Sequence, residues 1–437
     1  MRRRAWLMGG MATVGVSVAT FASLFRREPI SSAALQIDPA GVIDLPPGFS
    51  YRILSQRGDL MSDGFRTPGM PDGMACFQDE QNRWVLMRNH ELPPRAFPLA
   101  AFRSGEEPEQ SFDRRSIGGV SRMVIDPRSG SVVSSNLVLT GTNRNCAGGP
   151  SPWGWLSCEE DTAPGHGYVF LCSTSADRLQ RPRPIPAYGR FNHEAVAVES
   201  TRKIAYLTED REDSSFYRFI PHTSDRPFEG RFQAMAVNGE TKFDTGAFPQ
   251  RASLPVRWVD VTGQDSEHDD LRHRAQELGA AVVHRGEGIW YLNGQVFFTA
   301  TSGGPNALGQ VFRLRLGDDD RAEDRLELIA QSEASEALDM PDNLTVSPYG
   351  DLVLAEDGHG HQFLRLLSMD GRLRPLARNA ISRSEFAGVC FSPDGAALFA
   401  NIQGDGLTLM IEGPFEEYRA DEEHRAEPER QLSEKSV

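Results

Sequence analysis

Short runs of alternating apolar and polar residues follow one another from Tyr51 onward. A period of two residues is typical of β-strands with one face in a core. Outside the N-terminal segment no long run shows the 3.6-residue period of an amphipathic helix. The pattern therefore predicts an all-β protein.

The strand pattern also repeats. Each copy is a strand, a polar turn, and a second strand that ends in a polar or acidic pair. Clear copies begin at His193, Pro341 and Phe386, and a looser one begins at Gly286. The last two clear copies start about 45 residues apart, which is the length of one four-stranded propeller blade. With the segments 120–140 and 155–172, which fit the same pattern, the repeat predicts a six-bladed β-propeller with loop insertions. A sandwich or barrel is the alternative, but a recurring Ser-Pro-x-Gly turn favours the propeller.

The chain divides into three parts. Residues 1–34 begin with arginines and continue as an uncharged run, and residues 3–7 (RRAWL) resemble a twin-arginine export signal. An ordinary secretory signal or an uncleaved anchor is the alternative. Residues 40–415 are predicted to be one propeller domain with a charged insertion near 221–278. Residues 416–437 are charged and are predicted to be a disordered tail. We expect a periplasmic or secreted monomer that touches a membrane only through an uncleaved leader.

Composition excludes several classes of protein. Of the 437 residues, 39% are hydrophobic and 24% are charged, which excludes a polytopic membrane protein. The formal net charge of −15 repels nucleic acid, so we expect no such partner. The five cysteines form no CxxC pair, which excludes a zinc ribbon. We expect them to be core residues, with Cys158 as the exception.

Carboxylates recur at equivalent positions of the repeat. In a propeller the first strand of each blade lines the central channel, and here these strands carry Glu194, Glu287, Glu385 and either Asp342 or Asn343. The second strands end in acidic pairs at 159–160, 209–210 and 356–357, and Glu91 ends an early one. Carboxylates at 4 Å repel by about 4 kcal/mol per pair at an effective dielectric near 20. Calcium would relieve this repulsion, and the thiol of Cys158 beside Glu159 indicates a transition metal such as iron.

Two arginines share a local pattern with these acids. Arg285 lies two residues before Glu287, and Arg383 lies two residues before Glu385. In a strand, residues i and i+2 point to the same side, so each arginine would project toward the channel. An arginine fork is a common ligand of phosphate. A structural Arg–Glu pair is the alternative.

Several segments resemble the PhoX-type alkaline phosphatase family. They are residues 142–160 (TNRNCAGGPSPWGWLSCEE), 191–194 (FNHE), 285–288 (RGEG), 385–388 (EFAG) and 391–395 (FSPDG). The resemblance spans roughly residues 40–412. It implies a twin-arginine leader, a six-bladed propeller, calcium ions with an oxo-bridged iron pair, and hydrolysis of small phosphate monoesters. The chain lacks one residue that the family has between Gly154 and Trp155.

Residue by residue, the resemblance implies the following roles. Cys158 would be an iron ligand, and Glu194 and Glu287 would bind iron or calcium. Further metal ligands would be Glu91, Glu159 and Glu356. Arg285 and Arg383 would hold the phosphate oxygens, and an oxo or hydroxo group on the metals would attack phosphorus without a protein nucleophile.

Two other functions stay open on the sequence alone. One is a calcium-dependent propeller hydrolase of another class, such as a lactonase, which would not need Cys158. The other is a non-catalytic binding module whose metals join the blades. No G-x-S-x-G or G-x-x-x-x-G-K element is present, which argues against serine acyl transfer and P-loop nucleotide hydrolysis.

Overall fold

The structure is a computed structural model that describes residues 35–237, 239–317 and 323–420. The predicted signal at 1–34 lies outside these residues, as does most of the predicted tail. Within the described part of the chain, no helix is long and apolar enough to cross a membrane.

β-Strands make up most of the described residues. The first two sheets contain β3 (Pro71–Gln78), β4 (Trp84–His90), β5 (Gly118–Asp126) and β6 (Ser131–Thr142), and then β7 (Asn145–Ser151), β8 (Gly154–Glu159) and β9 (Val169–Cys172). A nine-stranded sheet contains β10 (His193–Val198), β11 (Ala205–Glu209), β12 (Tyr217–Pro221), β13 (Gly230–Val237), β14 (Ser253–Asp260), β15 (Gly286–Leu292), β16 (Gln295–Ala300), β17 (Gln310–Arg315) and β18 (Asp324–Gln331). The last two sheets contain β1 (Ile43–Asp44), β19 (Pro341–Val346), β20 (Leu352–Glu356), β21 (Phe363–Leu367) and β22 (Leu373–Asn379), and then β2 (Ser50–Gln56), β23 (Phe386–Phe391), β24 (Ala397–Ile402) and β25 (Leu407–Glu412).

Six strands, here called the inner strands, surround a central axis: β3, β7, β10, β15, β19 and β23. Each contacts the next in chain order, and β23 contacts β3, so the ring is closed. Glycines allow this close approach. A Cβ on Gly149 would lie 1.6 Å from the carbonyl oxygen of Val196, and one on Gly388 would lie 2.1 Å from that of Asp72. The described residues therefore form an all-β, propeller-like fold.

The two ends of the domain are joined by strand pairing. β2, near the N-terminus, pairs antiparallel with β25, with Ser50 opposite Glu412. β1 pairs in the same way with β22. Because both N-terminal strands complete sheets built from C-terminal strands, the ring is closed by backbone hydrogen bonds.

The predicted insertion near 221–278 contains regular structure. It includes β13, β14 and the short helix α1 (Leu271–Glu277). β13 pairs with β12 and buries Ala234, Met235 and Ala236. β14 pairs with both β13 and β18, which joins two groups of strands into the nine-stranded sheet. For this reason the described strands form five sheets.

Candidate metal centre and active site

All six inner strands begin with the same backbone arrangement. The second strands are β4, β8, β11, β16, β20 and β24. The first residue of each inner strand lies opposite the last residue of its second strand: Pro71 and His90, Asn145 and Glu159, His193 and Glu209, Gly286 and Ala300, Pro341 and Glu356, Phe386 and Ile402. Directly after this position the register shifts in five of the pairs, and between β23 and β24 it shifts one residue later, after Ala387. Equivalent positions of all six pairs are therefore presented at one end of the ring.

Acidic side chains and one thiol converge there. We call Cys146, Glu160, Glu194, Glu287, Asp342, Asp357 and Glu385 the axial cluster. They form three groups: Cys146 with Glu160 and Glu194, Glu194 with Glu287 and Asp342, and Asp342 with Asp357 and Glu385. Within each group the potential ligand atoms lie within 4.8 Å of one another. Glu194 and Asp342 each belong to two groups, so the three groups form a continuous row.

Burial and mutual repulsion disfavour the charged forms of these acids. Burial first, and then the neighbouring carboxylates, raise the pKa values of Glu194 and Asp342 well above the usual range. The same causes raise the pKa of Glu160 to about 7. Outside the cluster, the pKa of Asp72 also rises to about 7. Burial, reinforced by Glu194, raises the pKa of the Cys146 thiol. Metal cations would relieve each of these effects.

The donor set fits metal ions. Two of the three groups offer only carboxylate oxygens, which are the ligands that calcium prefers. The third adds the sulfur of Cys146, a soft donor that suits a transition metal. Within the described chain, Arg285 is the arginine whose guanidinium forms ion pairs with carboxylates of the cluster. One guanidinium cannot balance six carboxylates, so the residues present fit a centre of several cations.

The axis is narrow beneath the cluster. Gly73, Gly288 and Gly388 follow the starts of their inner strands and line the space on the axis. A Cβ on Gly288 would lie 2.6 Å from the carbonyl oxygen of Asp342, which shows how closely the strands approach. The cluster is therefore approached from the end where the inner strands begin.

Arg285 lies at the end of the axis where the inner strands begin, and carboxylates bind its guanidinium. Its Nε donates to Asp210 at 2.8 Å, and its Nη2 donates to Glu287 at 2.6 Å. Its Nη1 lies 4.0 Å from a carboxylate oxygen of Asp357. The contact with Glu287 places the two side chains together, as the sequence pattern predicted. The backbone is nevertheless not that of a strand, because Arg285 precedes β15 and has φ of +51°.

Arg383 has a different environment. It lies three residues before β23 and its side chain is exposed. No hydrogen bond or ion pair joins its side chain to another described residue. The regular-strand argument for its pairing with Glu385 does not apply, since both residues lie outside the strand.

Two predicted ligands, Glu159 and Glu356, lie in none of the three groups found among the described residues. Glu159 accepts from the ring of His166 at 2.6 Å and from the backbone N–H of Gly167 at 2.7 Å. Glu356 accepts from Arg365 at 2.8 Å. Both end a second strand, and successive side chains of a strand point to opposite sides. The following residues, Glu160 and Asp357, therefore reach the axis instead.

The third acidic pair behaves in the same way. Glu209 ends β11 and accepts from the Tyr217 hydroxyl at 2.8 Å, and Arg272 of α1 lies 3.6 Å from it. The next residue, Asp210, binds Arg285 at the channel end. The segment predicted as an insertion thus supplies the cation beside Glu209.

The structure also differs from the expectation for Cys158. Its side chain is fully buried in an apolar cluster with Leu156 and Val169, and it belongs to no ligand group of the described residues. Cys146 takes the place expected for it. Cys146 follows the first residue of β7, as Glu194 follows the first residue of β10, so the repeat identifies it as the axial residue.

The other predicted ligands lie at the site. Glu194 and Glu287 belong to the axial cluster. Glu91 lies at its edge, where its carboxylate accepts from Gln403 at 2.8 Å. Gln403 also donates to Asp72 at 2.9 Å. Glu91 is outside the three groups of the described residues, but burial and the charges of Asp72 and Glu160 raise its pKa well above the usual range.

Ligand candidates that the sequence did not single out are Cys146, Glu160 and Asp357. The acidic pairs themselves were visible. The sequence did not show at which residue each strand ends. This position decides which carboxylate of a pair faces the axis.

The family model described as alkaline phosphatase PhoX matches residues 30–137 and 128–406. The chain belongs to this family. PhoX proteins are phosphoric monoester hydrolases that depend on metal and act on small phosphate esters. The resemblance predicted from the cysteine-containing segment is confirmed.

A solved PhoX structure supports the fold. The chain is similar to Pseudomonas fluorescens PhoX in complex with vanadate, a transition state analogue, with a TM-score of 0.69 and 19% identity over 86% of this chain and 96% of that one. A gluconolactonase from Xanthomonas campestris, XC5397, matches at a TM-score of 0.44 and 12% identity over 85% of this chain and 98% of that one. A comparison with curated protein sequences returns no match.

Proposed function

We propose that this protein is an extracytoplasmic phosphatase that hydrolyses phosphate monoesters at a centre of calcium and iron. The observation that carries the proposal is the axial cluster, a continuous row of three ligand groups at the open end of the axis. Membership of the PhoX family supports the reaction type.

The donor atoms support an assignment of metals to groups. Iron would be held by Cys146, Glu160 and Glu194, since this group contains sulfur. Calcium would be held by the two all-oxygen groups that share Asp342. When bound, the metals supply Lewis acidity that neutralises the phosphate group and activates a nucleophile at neutral or alkaline pH.

The chain's own residues perform three tasks in this proposal. The buried carboxylates fix the positions of the cations. Asp210 and Glu287 orient Arg285 through its Nε and Nη2, which leaves Nη1 to donate to a phosphate oxygen. The narrow glycine-lined axis limits entry to one side. No protein nucleophile is required, and the leaving alcohol departs through the open end.

We also propose the number of blades and the route of export. We call the opposed start of an inner strand and end of its second strand a corner. We infer six blades, because β14 merges two four-stranded groups and this corner recurs six times. Export by the twin-arginine route is proposed from residues 1–34 and would deliver a folded, metal-loaded protein to the periplasm or outside the cell.

The test combines elemental analysis of the purified mature protein with hydrolysis of p-nitrophenyl phosphate at alkaline pH. We expect iron and calcium in the protein, and activity that chelation removes. Metal without ester hydrolysis would instead support a binding module. Calcium without iron, together with lactone hydrolysis, would support the other hydrolase class.

A further inference from the structure

The six-fold repeat of the corner allows arginines from different parts of the ring to be compared. Arg144 directly precedes β7, as Arg285 directly precedes β15. Both have a left-handed backbone, with φ of +40° and +51°. Such values are uncommon outside glycine, so the coincidence indicates a shared structural position.

Backbone hydrogen bonds confirm that the positions are equivalent. The carbonyl of Arg144 accepts from the N–H of Glu160 at 2.9 Å, and that of Arg285 accepts from Thr301 at 2.9 Å. Glu160 and Thr301 each follow a second strand. The N–H of Arg144 donates to the carbonyl of Leu92 at 3.0 Å, and that of Arg285 donates to Arg211 at 2.9 Å. Leu92 and Arg211 each lie two residues after the preceding second strand.

The two guanidinium groups differ in their partners. Arg285 donates to Asp210 and to Glu287, the residue two positions after it. Two positions after Arg144 the chain has Cys146, so the corresponding carboxylate is absent. In the preceding strand pair, Glu91 occupies the place of Asp210 and accepts from Gln403.

The guanidinium N–H groups of Arg144 are consequently available to bind a ligand. Among the described residues its guanidinium has one charged contact, 3.9 Å from Asp161, and its side chain is 41% exposed. Arg144 also lies beside the thiol-containing ligand group, because its carbonyl accepts from the N–H of Glu160 and Cys146 follows it by two residues. Arg383 does not share this position, because Glu385 directly precedes β23.

We propose that Arg144 is a second phosphate-binding arginine of this site and that, with Arg285, it recognises the phosphate group of the substrate. The inference rests on the proposed function and names a residue that contacts the substrate. A phosphate monoester carries more oxygens than one guanidinium can bind, and an acidic channel needs cationic donors at its entrance. Arg144 and Arg285 would approach the phosphate from different sectors of the ring.

The experiment uses the full metal-loaded protein with orthophosphate as the probe, measured by calorimetry, and p-nitrophenyl phosphate as substrate. A charge-assisted hydrogen bond contributes about 1.5–3 kcal/mol, so Arg144→Ala should raise the orthophosphate Kd and the KM by about 10–100-fold. Metal content should be unchanged. The orthophosphate Kd and KM of Arg144→Lys should lie between those of the wild type and Arg144→Ala. Lysine keeps the positive charge but lacks the planar guanidinium that can donate two parallel hydrogen bonds. Arg178→Ala is the control, since the Arg178 side chain is exposed and pairs with Asp177 on the surface.

Each outcome is decisive. An Arg144→Ala variant with orthophosphate affinity and KM within twofold of the wild type would overturn the inference, as would a variant that loses metal along with phosphate affinity. A wild type without affinity for orthophosphate would overturn it too. If the wild type binds orthophosphate, the variant does not, and neither hydrolyses esters, then the proposed function fails while this inference stands.

Discussion

Neighbouring carboxylates at the ends of the second strands have opposite environments. Glu159, Glu209 and Glu356 point into their sheets, where each meets a cationic or hydrogen-bonding side chain of the chain itself. The residues that follow, Glu160, Asp210 and Asp357, point to the axis. The first set stabilises the fold through internal partners. In the second set, Asp210 binds Arg285, whereas Glu160 and Asp357 belong to groups that could hold metal cations.

The strongest test of the axial side is Glu194→Gln, because Glu194 is shared by two ligand groups. We expect loss of metal from both groups and a fall in phosphatase activity of at least about 100-fold. The metal-free variant should be more stable than the metal-free wild type, since one repelling charge is removed. Elemental analysis and thermal unfolding measure the two effects. Full metal occupancy in the variant would show that Glu194 is not a ligand.

Substitutions at Cys146 and Cys158 test the same contrast between axial and internal side chains. Cys146→Ser should remove iron and leave most of the calcium, because it changes the one sulfur donor of the ligand groups found in the described residues. Cys158→Ser should keep iron but lose about 1–3 kcal/mol of stability, since it places a hydroxyl in an apolar cluster. Iron content and urea unfolding give the readouts. Loss of iron from Cys158→Ser alone would restore the expectation drawn from the sequence.

The different roles of the internal and axial carboxylates are tested by substitutions at Glu356 and Asp357. Glu356→Ala should cost about 3–5 kcal/mol, because it leaves the guanidinium of Arg365 buried without its carboxylate. Asp357→Ala should change stability less and lower the calcium content. Denaturant unfolding and metal analysis of both variants distinguish the roles. If the two variants give the same pair of results, the division between the residues is wrong.

The metal-free protein should lose stability as the pH rises. Burial raises the pKa values of Asp72 and Glu160 to about 7, above those of the unfolded chain. The folded state therefore binds more protons, and its stability falls as pH rises from about 4 through 7. Each group contributes a slope of at most about 1.4 kcal/mol per pH unit. We expect unfolding of chelated protein at pH 5 and pH 8 to show this fall and added calcium to reduce it. A flat profile would contradict the argument.

Much of the architecture was predictable because it depends on local pattern. Alternation predicted the β-class, and the repeat predicted a propeller-like ring. Glu194 and Glu287 lie together in one ligand group of the structure, since each follows the first residue of a strand that the repeat aligned. β13 and β14 were missed because neither alternates clearly. Six consecutive residues of β13 are buried, and most of β14 is half-buried or exposed.

The sequence by itself determined the family, the order of the strands and the supply of carboxylates at each corner. Tertiary structure decided which carboxylate of each pair faces the axis, because this depends on the residue at which the strand ends and the register shifts. It also decided that Cys146, rather than Cys158, lies beside Glu160 and Glu194. Both cysteines stand in strands of the same sheet, and their side-chain directions follow from pairing and packing, which no local pattern of residues specifies.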